Sequence, residues 1–181
     1  MGISVKLDDL KGKLLDAARP NRFSVTITDG ASLGNKGAIW TEPLSFFVKT
    51  FSLPAREIGE VIVNFQGMQT KLAGDPTYSD VTMTLHNDYG WEAKSFFEAW
   101  MEGISYTNDD GTNTRTAPAE YKTTIEVEQL GRDGETIATY VLVGCYPKSM
   151  EAIELSHESN DTLEEVSISL GLDYWYAGAN G

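Results

Sequence analysis

A chain of 181 residues that is 41% hydrophobic carries enough apolar material for one packed domain, which excludes intrinsic disorder. Its formal net charge of −13 excludes a basic nucleic-acid-binding face and attraction to an anionic membrane surface. The single cysteine, Cys145, excludes an internal disulfide, and the longest apolar run, around Tyr140 to Tyr146, is far too short to span a bilayer. The N-terminus lacks the apolar stretch of a secretory signal.

In chain order, residues 3–18 fit a short amphipathic helix with Val5, Leu7, Leu10, Leu14 and Leu15 on one side. They fit a mobile arm equally well, since termini fray unless tied down. After Pro20, Phe23, Val25 and Ile27 alternate with Ser24, Thr26 and Thr28 in a first strand, and Asp29 to Gly37 reads as a loop. Leu44 to Phe51 predicts a strand with Leu44, Phe46 and Val48 on one face and Ser45, Phe47 and Lys49 on the other. Leu53-Pro54 to Gly59 reads as a turn or excursion. Val61, Val63 and Phe65 then alternate with Glu60, Ile62, Asn64 and Gln66, predicting a long hairpin over about residues 44–73 that Pro76 ends.

The stretch from Tyr78 to Met101 organises the rest. Val81, Met83 and Leu85 alternate with Thr82, Thr84 and His86, a strand period. The pattern breaks at Asn87-Asp88-Tyr89-Gly90, where Asn87 or Asp88 can cap a helix start. Ala93, Phe96, Phe97, Trp100 and Ile104 then recur at helical spacing, giving a helix over about residues 89–103 whose aromatic stripe must cover a β-structure. Thr107 to Pro118 reads as a loop. Thr123–Val127 and Ile137–Val143 predict a second hairpin turning at Arg132-Asp133-Gly134 and closed by Pro147. Ile153 and Leu155 suggest a further strand, Asn160-Asp161 a turn, and Val166, Ile168, Leu170 and Leu172 alternate with Ser167, Ser169, Gly171 and Asp173 in a final one. Without repeats or a linker, the expectation is one α+β, mainly β domain. It is an antiparallel β-sandwich or barrel with one flanking α-helix, comprising an arm (1–18), a core (19–176) and a short tail (177–181).

Catalytic and metal-binding patterns are lacking. His86 and His157 are isolated and have no cysteine partner, so both read as ordinary strand or surface residues. Asn108-Asp109-Asp110-Gly111 has the look of a calcium loop. With Gly111 at its turn position, however, Tyr106 and Ala117 would fall where carboxylates are required. Cys145, within an apolar run, reads as a buried structural thiol. The expectation is a non-enzyme with no cofactor and no metal.

Several stretches taken together carry a resemblance. They are Ala18-Arg19-Pro20-Asn21-Arg22-Phe23, Ser52-Leu53-Pro54-Ala55, and Leu72-Ala73-Gly74-Asp75-Pro76-Thr77-Tyr78 followed by His86-Asn87-Asp88. Further along come Ala117-Pro118-Ala119-Glu120-Tyr121-Lys122, Gly144-Cys145-Tyr146-Pro147 and Leu172-Asp173-Tyr174-Trp175. In this order they resemble the tail tube proteins of contractile-tailed bacteriophages, related to the tubes of pyocins and type VI secretion. The resemblance covers the chain from about Ala18 to Trp175.

The resemblance implies a structural virion protein, assembled in the host cytoplasm, whose copies form hexameric rings that stack into the inner tail tube. Sheets of neighbouring subunits join into one barrel around a lumen. Genomic DNA passes through that lumen without specific binding and no membrane is contacted. The implied partners are further copies of the chain, the tail sheath protein, and baseplate and tail terminator proteins. Within that frame the alternation points Ser45, Lys49, Asn64, Gln66, Ser167, Ser169 and Asp173 into the lumen, with Phe47 and Ile62 as apolar exceptions on the wet side. The least core-like stretches, the N-terminal segment (Leu7, Leu10), Arg56, Glu57 and Gly59, and the loop with Asn108, Asp109 and Asp110, are the expected ring-to-ring contacts. A bacteriocin or secretion tube is an alternative with different cargo. A small-ligand-binding β-barrel and a hydrolase using unpatterned carboxylates are readings from other classes.

Overall fold

A computed structural model describes residues 18–27, 47–107, 111–153, 155 and 163–178. The expected arm, the Gly-rich segment before Phe47, Asn108 to Asp110 and His157 lie outside these residues.

The core is a two-layer antiparallel arrangement made from one continuous strand path. β1 (Phe23–Ile27) pairs with β8 (Thr123–Leu130), and β8 pairs with the first part of β9 (Thr136–Met150). The rest of β9 pairs with β10 (Glu165–Gly171), then β5 (Val81–His86), then β2 (Val48–Phe51) at the far edge. β11 (Tyr174–Ala177) adds to the first layer along Tyr140–Val143 of β9. Alternation decides what is buried. Val25, Ile125, Val127 and Leu142 from one layer face Val81, Met83, Leu85, Val166, Ile168 and Leu170 from the other.

β9 belongs to both layers because it bends at two irregularities. Gly144 sits at φ +72 where the β8 register shifts, and Pro147 sits where the β10 register shifts. Proline has no N–H for a ladder, and a bulge is where a strand tolerates that loss. Pro147 therefore lies inside the strand it was expected to close, and the strand suggested by Ile153 and Leu155 falls largely outside the described residues. The hairpin turn between β8 and β9 forms as read. Gly131 N–H donates to Glu135 O, Asp133 Oδ1 accepts from Glu135 N–H, and Gly134 has φ +91.

Helix α1 (Glu92–Ile104) starts three residues later than the pattern suggested. The capping residue is Asp88, whose carboxylate oxygens accept from Gly90 N–H and Glu92 N–H, while Trp91 between them takes a left-handed conformation. Ala93, Phe96, Phe97 and Trp100 are buried in the same core as both sheets. Phe96 meets Phe97 edge-on at 5.1 Å, and Phe97 stacks on Trp100 at 5.9 Å. Each large side chain so buried contributes about 1.5–3 kcal/mol. The Trp100 Nε1–H donates to Tyr121 O at 2.8 Å, tying α1 to the short helix α2 (Pro118–Tyr121). Thr116 Oγ1 donates to Gly103 O, satisfying a free carbonyl of the last helical turn. The expected loop at Thr107–Pro118 thus contains structure: β6 (Ser105–Thr107) pairs with β7 (Asn113–Arg115), and α2 follows. Cys145 is buried as expected, and burial pushes its thiol up to about 12.

Candidate assembly surfaces

β2 and β5 continue outward as a two-stranded ribbon. β3 (Arg56–Phe65) pairs with β4 (Met68–Tyr78) and with no other described strand. Of the stretch expected as the first arm of a hairpin, the described part Val48–Phe51 therefore pairs with β5 rather than with Glu60–Gln66. The stretch expected to be a turn, Arg56–Gly59, is strand, and Pro76 lies within β4, opposite Ile58. A register shift lies beside that pair, between Ile58 and Glu60. The tip is Gln66-Gly67, with φ 48 and 82, the left-handed pair that a two-residue hairpin turn needs.

The register sorts the outer ribbon into two unlike faces. Val61 lies opposite Leu72, Val63 opposite Thr70 and Phe65 opposite Met68. On the other side Glu60 lies opposite Ala73, Ile62 opposite Lys71 and Asn64 opposite Gln69. The first face is almost wholly apolar, yet it is open to solvent: Phe65 is 65% exposed, Met68 75% and Leu72 52%. The second face is polar apart from Ile62 and carries a Lys71–Glu60 ion pair. A lone two-stranded ribbon is marginal in water, and a folded monomer rarely leaves such a stripe bare.

A second surface is the outer face of β2, β5 and β10. Thr50 faces Thr84, which faces Ser167. Thr82 faces Ser169, which faces Ser149. The charges on this face are paired. Lys49 donates to Glu165 at 2.6 Å and Lys148 to Asp80 at 2.6 Å. The bond from Lys49 holds the Glu165 carboxyl below its usual range, and the bond to Asp80 raises Lys148. A third feature is a groove of about 280 Å³ between β1 and β2, with Phe23, Phe51, Leu53, Val127 and Tyr140 among its lining.

Of the expected lumen residues, Lys49, Ser167 and Ser169 come together on that hydroxyl-rich face, and Ser167 and Ser169 point away from the core between buried Val166, Ile168 and Leu170. Asn64 lies on the polar face of the ribbon and Gln66 in its turn. Asp173 is set apart. β10 ends at Gly171, and Asp173 accepts from Lys122 at 2.6 Å while its carboxylate lies against Gly144. That bond raises the Lys122 pKa. Ser45 lies outside the described residues. Phe47, expected on the wet side, packs against the core, because the strand begins only at Val48 and a bulge at Lys49 shifts the faces. Of the expected ring contacts, Arg56, Glu57 and Gly59 are exposed at the ribbon root, and Arg56 stacks over the Tyr78 ring. Leu7, Leu10, Asn108, Asp109 and Asp110 lie outside the described residues. The sequence reading missed the exposure of the apolar ribbon face, although its signal was present: from Val61 to Thr70 there is no charged side chain.

Among the described residues, no cluster of His, Cys, Asp or Glu could hold a metal, and no helix is long and apolar enough to cross a membrane. The space between the layers is filled by Trp100, Phe97, Met83 and their neighbours, unlike a barrel built around a ligand.

Comparison with known proteins agrees with this architecture. The family model for phage tail tube protein matches residues 18–178. The tail tube protein gp19 of Enterobacteria phage T4 is 31% identical over 161 residues, covering 88% of this chain and 91% of that one. In fold, the chain is similar to the tube-terminating cap of the anti-feeding prophage, with TM-score 0.66, 15% identity and coverage of 98% and 95%. It is also similar to a chain of the extended sheath–tube complex of the extracellular contractile injection system PVC, with TM-score 0.61, 17% identity and coverage of 97% and 99%. With nearly its whole described length matched, from the first strand to the last, the chain belongs to the phage tail tube protein family.

Proposed function

We infer that copies of this chain form hexameric rings that stack into the inner tube of a contractile phage tail, a structural and non-enzymatic role. The observation that carries this reading is the β3–β4 ribbon, whose apolar face has no cover among the described residues. Another copy supplies the cover. Head-to-tail contacts that close make a ring, and contacts that do not close make a filament.

The hydroxyl-rich outer face of β2, β5 and β10, with Lys49, Ser167 and Ser169, lines the lumen, joined by Asn64 and Gln66 of the ribbon. Such a wall is wet, and the two lysines described on it, Lys49 and Lys148, are held by carboxylates rather than free for a phosphate. Six copies at −13 each give a ring −78 formal charges, so DNA slides rather than sticks. The sheath surrounds the tube, and baseplate and terminator proteins hold its ends. The named assemblies among the structural neighbours, a sheath–tube complex and a tube-terminating cap, support this set of partners. Phage cargo is favoured over a secreted toxin because the match to T4 gp19 extends to sequence, at 31% identity, whereas the injection-system likeness is one of fold.

Electron microscopy of the concentrated protein, with and without a baseplate primer, tests the reading. Tubes built of six-fold rings are expected. Monomers under every condition would overturn it.

A further inference from the structure

One ion pair of the hydroxyl-rich face is built over a histidine. Lys49 is the residue that the β2 bulge inserts between Val48 and Thr50. β5 lies between β2 and β10, so the 2.6 Å bond from Lys49 to Glu165 Oε1 bridges two strand spacings, about 10 Å, and passes over β5. The β5 residue in register with Glu165 is His86. Its Nδ1 lies 3.8 Å from the same Oε1, shut off from water and with no hydrogen-bond partner among the described residues. We propose that protonation of His86 transfers Glu165 from Lys49 to the imidazolium and frees the lysine for a phosphate, so that acid turns the sliding wall into a brake on DNA. The proposal rests on the tube reading, which puts this face in the lumen.

Access to water decides which cation yields. A neutral imidazole can carry its one proton on Nε2 and leave Nδ1 bare, whereas in the imidazolium both nitrogens are donors. The covered Nδ1–H then has Glu165 as its nearest carboxylate among the described residues. The Lys49 side chain is 45% exposed, and its ammonium is a compact, strongly hydrated charge on a flexible stem. It can exchange the carboxylate for water, and the shielded Nδ1–H cannot. Repulsion between two cations beside one carboxylate drives the exchange the same way. The trio passes from net zero to net +1, and the charge set loose is the one on the longer arm.

The other charged groups nearby are turned elsewhere. Glu164 of β10 stands opposite Asn87, one residue on from His86, and so alternates to the other face. Asp88, in the loop after β5, accepts from Gly90 N–H and Glu92 N–H at the start of α1. Glu151, after β9, stands one row away, where its N–H donates to Ser167 O. Lys148 is held by Asp80 beyond the far end of β5. Glu165 stays ionised through the change, because the bond from Lys49 and, to a lesser degree, the nearby His86 hold its carboxyl below the usual range. Histidine is the side chain that ordinarily changes charge between about pH 5 and 8.

Six copies per ring set six freed ammoniums at one level of the wall, and stacking repeats the level. The overall negative charge does not cancel them, because it is spread over every surface of the subunit and charges beyond about 10 Å are screened at ordinary salt. Each ammonium that meets a phosphate releases a counterion, so the hold weakens with salt by a slope near −0.9 per engaged phosphate, about threefold between roughly 50 and 200 mM.

Two measurements test the exchange and the brake. On dilute subunits, NMR follows the His86 ring and the Lys49 ammonium from about pH 8 to about pH 5. Both signals are expected to move with one midpoint, and the Lys49 signal to stay still in His86→Asn. A Lys49 signal indifferent to His86 would overturn the exchange, whatever the state of assembly. On purified particles, DNA release is timed at about pH 8 and about pH 5.5, in roughly 50 mM salt. Release is expected to slow about threefold or more in acid for the unaltered chain, to stay fast in His86→Asn, and to recover at roughly 200 mM salt. Glu165→Gln, which unties Lys49 without a proton, is expected to release slowly at both pH values. Equal release at both pH values from unaltered particles with intact six-fold tubes would overturn the brake. The same acid slowing in His86→Asn would assign it to another group and overturn it as well. Particles whose tubes lack six-fold rings would remove the tube reading, while the NMR result would still decide the exchange.

Discussion

Gly144→Ala tests whether the corner of β9 is built as described. Two costs are expected. The backbone there has φ +72, which an L-residue with a Cβ adopts at a cost of about 1–2 kcal/mol. In addition, a Cβ at Gly144 would lie 2.2 Å from Asp173 Oδ2 and 2.6 Å from its Cγ, so the Asp173 carboxylate must leave. Moving it breaks the 2.6 Å pair with Lys122. Asp173 is half exposed, so water screens that pair and it is discounted to about 0.2–1 kcal/mol. The total is about 1–3 kcal/mol, which for a domain of this size lowers Tm by roughly 2–12 °C. The assay is thermal and urea unfolding of dilute, unassembled protein, repeated in an Asp173→Ala background. There the carboxylate is gone and only the Cβ of residue 173 remains, at 3.1 Å. Gly144→Ala should then cost about 1–2 kcal/mol, the backbone part alone, a coupling of up to about 1 kcal/mol between neighbours. Equal costs in both backgrounds would refute the carboxylate clash. A second readout is the thiol of Cys145, buried beside the corner, which should react faster with a disulfide reagent in Gly144→Ala.

Trp100→Phe removes the donor to Tyr121 O and leaves space beside Phe97. It should cost about 2–4 kcal/mol, read as a lower urea midpoint by circular dichroism. The ion pairs make stability fall at both ends of the pH range. Glu165 has a lowered folded pKa, so its contribution is present above its unfolded value of 4.5 and is lost as pH falls through the folded value. Lys122 and Lys148 have raised folded pKa values, so theirs is present below the unfolded 10.5 and is lost as pH rises through the folded values. Lys49→Met should flatten the acid limb of a Tm–pH curve and leave the alkaline limb in place. Ser169→Lys would place six cations at one level of the pore. Tubes should still assemble, because the side chain points away from the core, but DNA release should slow at low salt and recover as salt screens the charges. Unchanged release at low salt would mean that wall charge does not govern passage.

The elements read most accurately from sequence are those that meet the chain's own core. Val81–Leu85, Phe96–Trp100, Thr123–Val127 and Val166–Leu170 each show a period, and each buries the face that the period marks. The errors cluster where a local rule met an irregular backbone. Pro147 and Pro76 looked like strand ends but sit at or beside register shifts, where a missing N–H is tolerated. The shift at Lys49 turned Phe47 toward the core, and Asp173 left the alternation of β10 because the chain bends after Gly171 toward Lys122. A bulge changes which face a residue serves and leaves little mark in composition.

The ribbon fails differently, and the reason bears on assembly. Val61, Val63 and Phe65 alternate as Val166, Ile168 and Leu170 do, Ile62 apart, yet the first set is exposed and the second is buried. Alternation reports only that one face is made to be dry. It carries no information on which chain will dry it, because the same apolar contact satisfies the face whether it comes from the subunit's own core or from a neighbour. The discriminating signal is on the opposite face and in the connections. β10 is flanked on both sides by strands of its own sheet, whereas β3 has β4 on one side and nothing on the other among the described residues. A period-two stripe on a two-stranded ribbon that is uncharged for ten residues, Val61 to Thr70, is a core face belonging to an assembly rather than to a subunit.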